Sequence, residues 1–474
     1  MREFGSIVEG QQHSSGKWID VYNQFTLEQT GRVAAIDPKA VNEIAKKMHD
    51  SDVRLSRHER HNILMKMSAE IESRSDDVSR LITDETGLAR KDTRYEAQRV
   101  CDVLRFSAMA ALQDDSEIFP CDISAQGRPR RIYTSRYPLR LITAITPFNH
   151  PMNQVAHKIG PAIATNNNVI LKPSEKTPLS AYFLAELSIQ CGLPVESLTV
   201  LNGSTKDLAK AMVTHELVDL VTFTGSSSVG RHLASLAKYK RLILELGGSS
   251  PLLVLEDAAP AVAAQIAVAG IFKNSGQRCT AIRRIIVQEK IAAPFADSLK
   301  KEVALLRCGD PYDDKTDVGT VISETAARQI QARVENSLSQ GAKLLIGNHR
   351  EGALYHPTVL DKVNPAHDLV AQETFGPVAP IIRVDSFNEA IRLANDTCYG
   401  LSAGVVSNHW PSIQRAIGEL EVGTVNINEA PSYRLETTPF GGIKASGLGY
   451  KEGVIETMKA MTYIKTYSLP WDQP

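Results

Sequence analysis

From Leu139 onward, short apolar runs alternate with helical segments in two successive series, and few folds accept that pattern. The first series puts strands at 139–146, 168–172, 198–202, 219–224 and 241–246, with helices such as 180–190 and 205–215 between them. The second runs from Pro251 to about Val425, with strands near 251–255, 283–288, 342–346, 379–384, 401–406 and 423–427. The expected class is α/β, with parallel sheets covered by helices. The 474 residues exceed what one core holds, so two or three domains are expected.

Upstream, from about Pro38 to Leu112, the pattern is helical: Ile63, Leu64, Met67 and Ile71 recur at steps of three and four among charges. Residues 113–134 lose that period and read as an extended hairpin, including Arg131-Ile132-Tyr133-Thr134. The tail, Ala460–Leu469, is β-prone. Two-stranded elements are marginal alone, so hairpin and tail should pair with another element or another subunit. A net charge of −1 gives no global attraction to nucleic acid or an anionic membrane. Six dispersed cysteines without a C-x-x-C pair argue against a structural metal or a disulfide framework and for a reducing, cytoplasmic setting. No run of about 18 apolar residues offers a membrane span, and Met1–Gly16 lacks the apolar stretch of a signal peptide.

Three motifs carry chemistry. Cys279 follows Gly276-Gln277-Arg278, Glu245 precedes Leu246-Gly247-Gly248, and Asn149 ends Thr146-Pro147-Phe148-Asn149. A thiol to attack, an amide to steady an oxyanion and a carboxylate to activate water are the parts of thiol-based acyl transfer. Two have a plainer reading: Cys279 as a buried inert cysteine, Glu245 as a surface carboxylate at a strand end. The adjacent Arg278 is expected to lower the Cys279 pKa. No G-x-G-x-x-G turn is present. Instead the 219–224 strand ends in Thr224-Gly225-Ser226-Ser227-Ser228-Val229-Gly230, where a helix start favours phosphate, though the same residues read equally as a βα turn with a Ser N-cap. Strand 168–172 ends at the same sheet edge in Lys172-Pro173-Ser174-Glu175, where Lys172 and Glu175 could hold ribose hydroxyls. A carboxylate at Glu175 accepts from a 2′-hydroxyl and repels a 2′-phosphate, favouring NAD over NADP.

In order and spacing these motifs, with Glu373-Thr374-Phe375-Gly376-Pro377 and Pro439-Phe440-Gly441-Gly442, resemble the aldehyde dehydrogenase superfamily over about residues 20–467. The resemblance implies a Rossmann-like NAD-binding domain (1–117 and 135–245) and an α/β catalytic domain (246–428). It also implies a small β oligomerisation element (118–134 and 460–474) and a return segment (429–459). It implies Cys279 as nucleophile, Asn149 in the oxyanion hole and Glu245 as the base that hydrolyses the thioester. NAD would contact Thr146, Pro147, Phe148, Lys172, Ser174, Glu175, Gly225, Ser226, Gly230, Leu246, Glu373 and Phe375. A homodimer or dimer of dimers, and no metal, are further implications. Glu373 also reads as a helix or turn cap. No proton-relay role is assigned at Lys451 or Glu452.

The same resemblance places Arg99, His150, Arg278, Thr280 and Arg434 around the substrate. The helix after Asn149 is expected to present His150, Asn153 and His157 on one polar, basic face. Any single arginine reads as a solvated surface residue, but several at aligned tunnel positions point to an anion. Guanidinium forks suit phosphate or phosphonate oxygens, and three of them suggest a dianion. The set resembles both non-phosphorylating glyceraldehyde-3-phosphate dehydrogenases and phosphonoacetaldehyde dehydrogenase. Glu175 and His150 favour the second, hence phosphonoacetaldehyde oxidised to phosphonoacetate. Lactaldehyde and succinate semialdehyde are alternatives; an acylating, coenzyme A-dependent enzyme and a non-catalytic structural protein stand further off.

Overall fold

The structure, a computed structural model, describes residues 2–449 and 452–471. Lys451 lies outside the described residues. The first alternating series builds a seven-stranded sheet. Its spatial order is Arg241–Glu245, Leu220–Thr224, Leu141–Ile145, Asn168–Lys172, Leu198–Val200, Ser6–Val8 and Gln11–His13. The first five strands are mutually parallel, and the last two join antiparallel. The second series builds another seven-stranded sheet, ordered Lys343–Ile346, Thr358–Asp361, Val378–Val384, Ile282–Gln288, Ser250–Val254, Ser402–Val406 and Thr424–Ile427. Only Lys343–Ile346 runs antiparallel to its neighbour. The central strands of both sheets are buried on both faces, which explains their continuous apolar runs.

Helix Arg90–Ala111 packs on helices Arg57–Ser73 and Asn153–Ala164 over the first sheet. The expected hairpin forms between Ile118–Pro120 and Arg130–Pro138, reaching past residue 134. The tail Thr462–Pro470 pairs with Arg130–Pro138 along nine residues, so its partner lies within the same chain. Tyr133 stacks on Tyr467 and Tyr137 on Tyr463 across this small sheet, and Ile118, Phe119, Ile464 and Leu469 stay exposed on it. Strands within residues 2–34 gave no sequence signal; three of the five are three residues long, too short for a period to show. Among the described residues no helix is long and apolar enough to cross a membrane.

Strand order in the first sheet reverses at Leu141–Ile145: the next strand in sequence lies on one side and Leu220–Thr224 on the other. Ligands in open α/β sheets bind at the carboxyl ends of strands at such a point. The cavity opens there.

Candidate active site

Cys279 faces a cavity of about 300 Å³ lined also by Asn149, Glu245, Glu373, Phe375, Arg99, His150, Arg278, Thr280 and Arg434. Pro147, Phe148, Thr224, Gly225, Ser226 and Leu246 complete the side nearer the sheet edge. The sequence motifs therefore meet in one space.

The thiol's position is fixed by backbone. Asn274, Ser275 and Gly276 carry successive positive φ angles of 55°, 52° and 72°, a strained run for the two that are not glycine. A Cβ on Gly276 would run into the backbone of Gly376 and Pro377, so glycine lets the Cys279 loop touch the Glu373–Pro377 loop. Arg283, buried in its strand, donates to the carbonyls of Gly276 (2.6 Å), Arg278 (3.0 Å) and Gly376 (3.1 Å) and ties both loops together. Gln277 Oε1 accepts from the Ile322 amide at 2.8 Å. Gly248 keeps the Glu245 strand end close: a Cβ there would lie 2.6 Å from the Cys279 carbonyl.

Asn149 donates through Nδ2 to the Gln277 carbonyl at 2.8 Å, which aims the amide at the Cys279 loop. Glu245 is buried at the end of its strand, bridged through its backbone to Gly447. Glu373 Oε1 accepts from the Gly248 amide at 3.1 Å, and burial pushes its carboxyl upward against Arg283. Phe375 stands edge-on to Phe148 at 5.8 Å.

Burial pushes the Cys279 thiol up to about 11; Arg434 opposes this more than Arg278 does, and Glu245 and Glu373 add to it. Arg278 does lower it, but as the smallest of these influences, and removal from water outweighs it so that the net shift is upward. Arg278 turns its Nη2 to the carbonyls of Ala269 (3.2 Å) and Gly270 (3.1 Å), closing helix Pro260–Ile271.

At the far end the cavity wall is a network of ions. Arg99 and Arg434 both pair with Glu436, a carboxylate only 6% exposed. His157 Nε2 lies 2.6 Å from Glu436 Oε2, the oxygen that Arg434 also approaches, while Arg99 takes Oε1. Burial alone would raise the Glu436 carboxyl, but His157, Arg99 and Arg434 hold it far below the usual carboxylate range. Arg434 also lies 4.1 Å over the Phe440 ring. The wall is therefore less positive than three arginines suggest. Burial lowers the His150 pKa against the raising influence of Glu96, which disfavours a charged imidazole there. Glu96 itself accepts from the Met152 and Asn153 amides at 3.0 Å, at the start of helix Asn153–Ala164. That helix begins four residues after Asn149, so Gln154 rather than Asn153 reaches the cavity and His157 points to Glu436.

Lys172, Ser174, Glu175, Thr146 and Gly230 lie outside this cavity. Lys172, Ser174 and Glu175 gather at the end of strand Asn168–Lys172. There Lys172 Nζ is 3.8 Å from Glu175 Oε1, and Thr205 donates to the same oxygen at 2.5 Å. Ser226 caps helix Ser227–Ala237 by accepting from the Val229 amide. A Cβ on Gly230 would strike Leu246, so its role is close packing. Thr146 and Thr224 keep buried hydroxyls without a partner at the same strand ends, as a site for a polar ligand would. Glu452 is buried in a pair with Lys158.

Sequence reasoning missed Glu436 and Arg283. Both had signals: Glu436 stands two residues from Arg434, and Arg283-Arg284 interrupts an apolar strand.

The Aldehyde dehydrogenase family profile matches residues 11–467. A 3-sulfolactaldehyde dehydrogenase of Priestia aryabhattai is 34% identical over 463 residues, covering 98% of this chain and 97% of the relative. A lactaldehyde dehydrogenase of Methanococcus maripaludis is 35% identical over 463 residues, covering 95% and 98%. The crystal structure of an NADP-dependent glyceraldehyde-3-phosphate dehydrogenase from Bacillus halodurans, complexed with NADP, superposes with a TM-score of 0.96 at 34% identity over the full length of both chains. The chain is an enzyme of the aldehyde dehydrogenase family.

Proposed function

We propose that this enzyme oxidises a small aldehyde with a tetrahedral oxyanion head group to its carboxylate, using NAD, and that the substrate is phosphonoacetaldehyde. The observation that carries the reading is one cavity with Cys279 at its floor and Arg99, Arg278 and Arg434 in its wall. Cys279 adds to the aldehyde carbon, and the Asn149 amide and the Cys279 backbone N–H receive the oxyanion. NAD, when bound, supplies the hydride acceptor. Glu245 takes a proton from the water that cleaves the resulting thioester, releasing the acid and the thiol. A coenzyme A-dependent outcome is disfavoured, since such a base consumes the thioester.

The NAD contacts proposed are the residues at the strand ends, with Lys172 and Glu175 toward the ribose. The Glu175 carboxylate supports NAD, although the Bacillus halodurans relative binds NADP. The exposed aromatic sheet of hairpin and tail supports a homodimer or dimer of dimers.

A sulfonate is a second reading of the head group. Glu436 favours it, because this carboxylate removes one charge from the wall. The test is NADH formation with phosphonoacetaldehyde, 3-sulfolactaldehyde, lactaldehyde and propanal. A kcat/KM for the phosphonate aldehyde no better than for propanal would refute the substrate assignment.

A further inference from the structure

Arg99 and Arg434 come from distant segments, one on helix Arg90–Ala111 and one on the return segment, yet both close on a single carboxylate. Glu436 is nearly sealed from solvent, and His157, with no exposure at all, holds its second oxygen. An unpaired carboxylate so buried would be costly, and two guanidiniums so close would repel. The group is therefore built as a unit. Within this group, the two guanidinium charges less the one carboxylate leave a single positive charge. Burial lowers the His157 pKa against the pull of Glu436, so the two arginines carry the firm positive charges of the group. Arg278 stands apart, turned to the carbonyls of its helix, with Asp92 as the acidic group acting on it most strongly.

We propose that Glu436 is a specificity-determining residue: it acts as a fixed counter-charge that sets the Arg99–Arg434 wall to a singly charged head group and disfavours a doubly charged one. Glu436 acts through the two arginines as a positioning residue and does not touch the reacting atoms. The inference rests on the proposed anionic substrate but refines it, since it favours a sulfonate, or a phosphonate that keeps one proton, over a full dianion. An added negative charge meets the repulsion of a carboxylate that cannot move away without stranding His157 and both arginines.

The test separates the head group from the aldehyde. Propanal oxidation by the whole enzyme is inhibited with methanesulfonate and with methylphosphonate at a pH where the latter is doubly charged. Wild-type enzyme should bind methanesulfonate more tightly. Glu436→Gln should move the ratio of the two inhibition constants toward methylphosphonate by about tenfold or more, the scale of one charge-assisted contact. Glu436→Asp should restore the wild-type ratio. A wild-type preference for methylphosphonate, which needs no variant to fold, would overturn the proposal. So would a Glu436→Gln enzyme that weakens both anions alike, the mark of a purely structural residue. If both anions inhibit but no anionic aldehyde outperforms propanal, the substrate reading fails while the charge rule stands. If neither anion inhibits, both fall.

Discussion

The two ends of the cavity are built differently. At the nucleophile end, position is set by backbone: three consecutive positive φ angles, a glycine pressed against a neighbouring loop, and Arg283 binding three carbonyls. At the arginine end, position is set by side chains from three separate segments, those of Arg99, His157 and Arg434, meeting at Glu436. Backbone geometry suits a reaction whose atoms must lie within a fraction of an ångström of their places. Charge networks suit the choice of substrate, because one substitution changes their balance without disturbing the thiol. Under the proposed function the contrast divides the labour: one end sets the chemistry, the other the head group.

Changes to each end should therefore fail differently. Gly276→Ala forces a side chain into a positive-φ site against the Gly376–Pro377 backbone. It should lower kcat about a hundredfold for every aldehyde alike, read by steady-state NADH formation. Loss confined to anionic aldehydes would erase the distinction between the two ends. Arg99→Ala should cost anionic aldehydes about 1.5–3 kcal/mol in kcat/KM and propanal far less. Equal losses on both would remove Arg99 from head-group recognition.

A smaller effect concerns pH. Burial favours the neutral thiol, so the Cys279 pKa lies above its ordinary value, at about 11. The ionised fraction then climbs through the whole range below that value. Iodoacetamide labelling of Cys279 in the free enzyme should rise about tenfold per pH unit between pH 8 and 10. A plateau below pH 8 would show a thiol already ionised, and the nucleophile end would then be set by charge as well. The smallest change expected is at Glu175, outside the cavity. Glu175→Gln should narrow the preference for NAD over NADP by about tenfold or less, measured as the ratio of kcat/KM values.

How much of this was legible in the chain follows the same division. Backbone constraints leave contiguous marks, because glycine and proline must sit at fixed offsets; Gly276 before Cys279 and Gly247-Gly248 after Glu245 are such marks. Central strands were legible for a similar reason: strand 168–172 is apolar and buried on both faces, and the structure places it at Asn168–Lys172. Arg99 and Glu436 stand 337 positions apart, and no local pattern announces their pairing. The cysteine's pKa was misread because sequence shows the adjacent Arg278 but not the depth of burial. The downward shift of the His150 pKa was hidden for the same reason.

The joint claim, that the thiol and the arginine wall serve one substrate, has a direct measurement. Glu245→Gln enzyme, mixed with NAD and phosphonoacetaldehyde and quenched in acid, is digested and weighed by mass spectrometry. A phosphonoacetyl thioester should accumulate on the peptide bearing Cys279, dependent on NAD and absent from the Cys279→Ser enzyme. An unmodified Cys279 while Glu245→Gln still turns over at the wild-type rate would contradict the assignment.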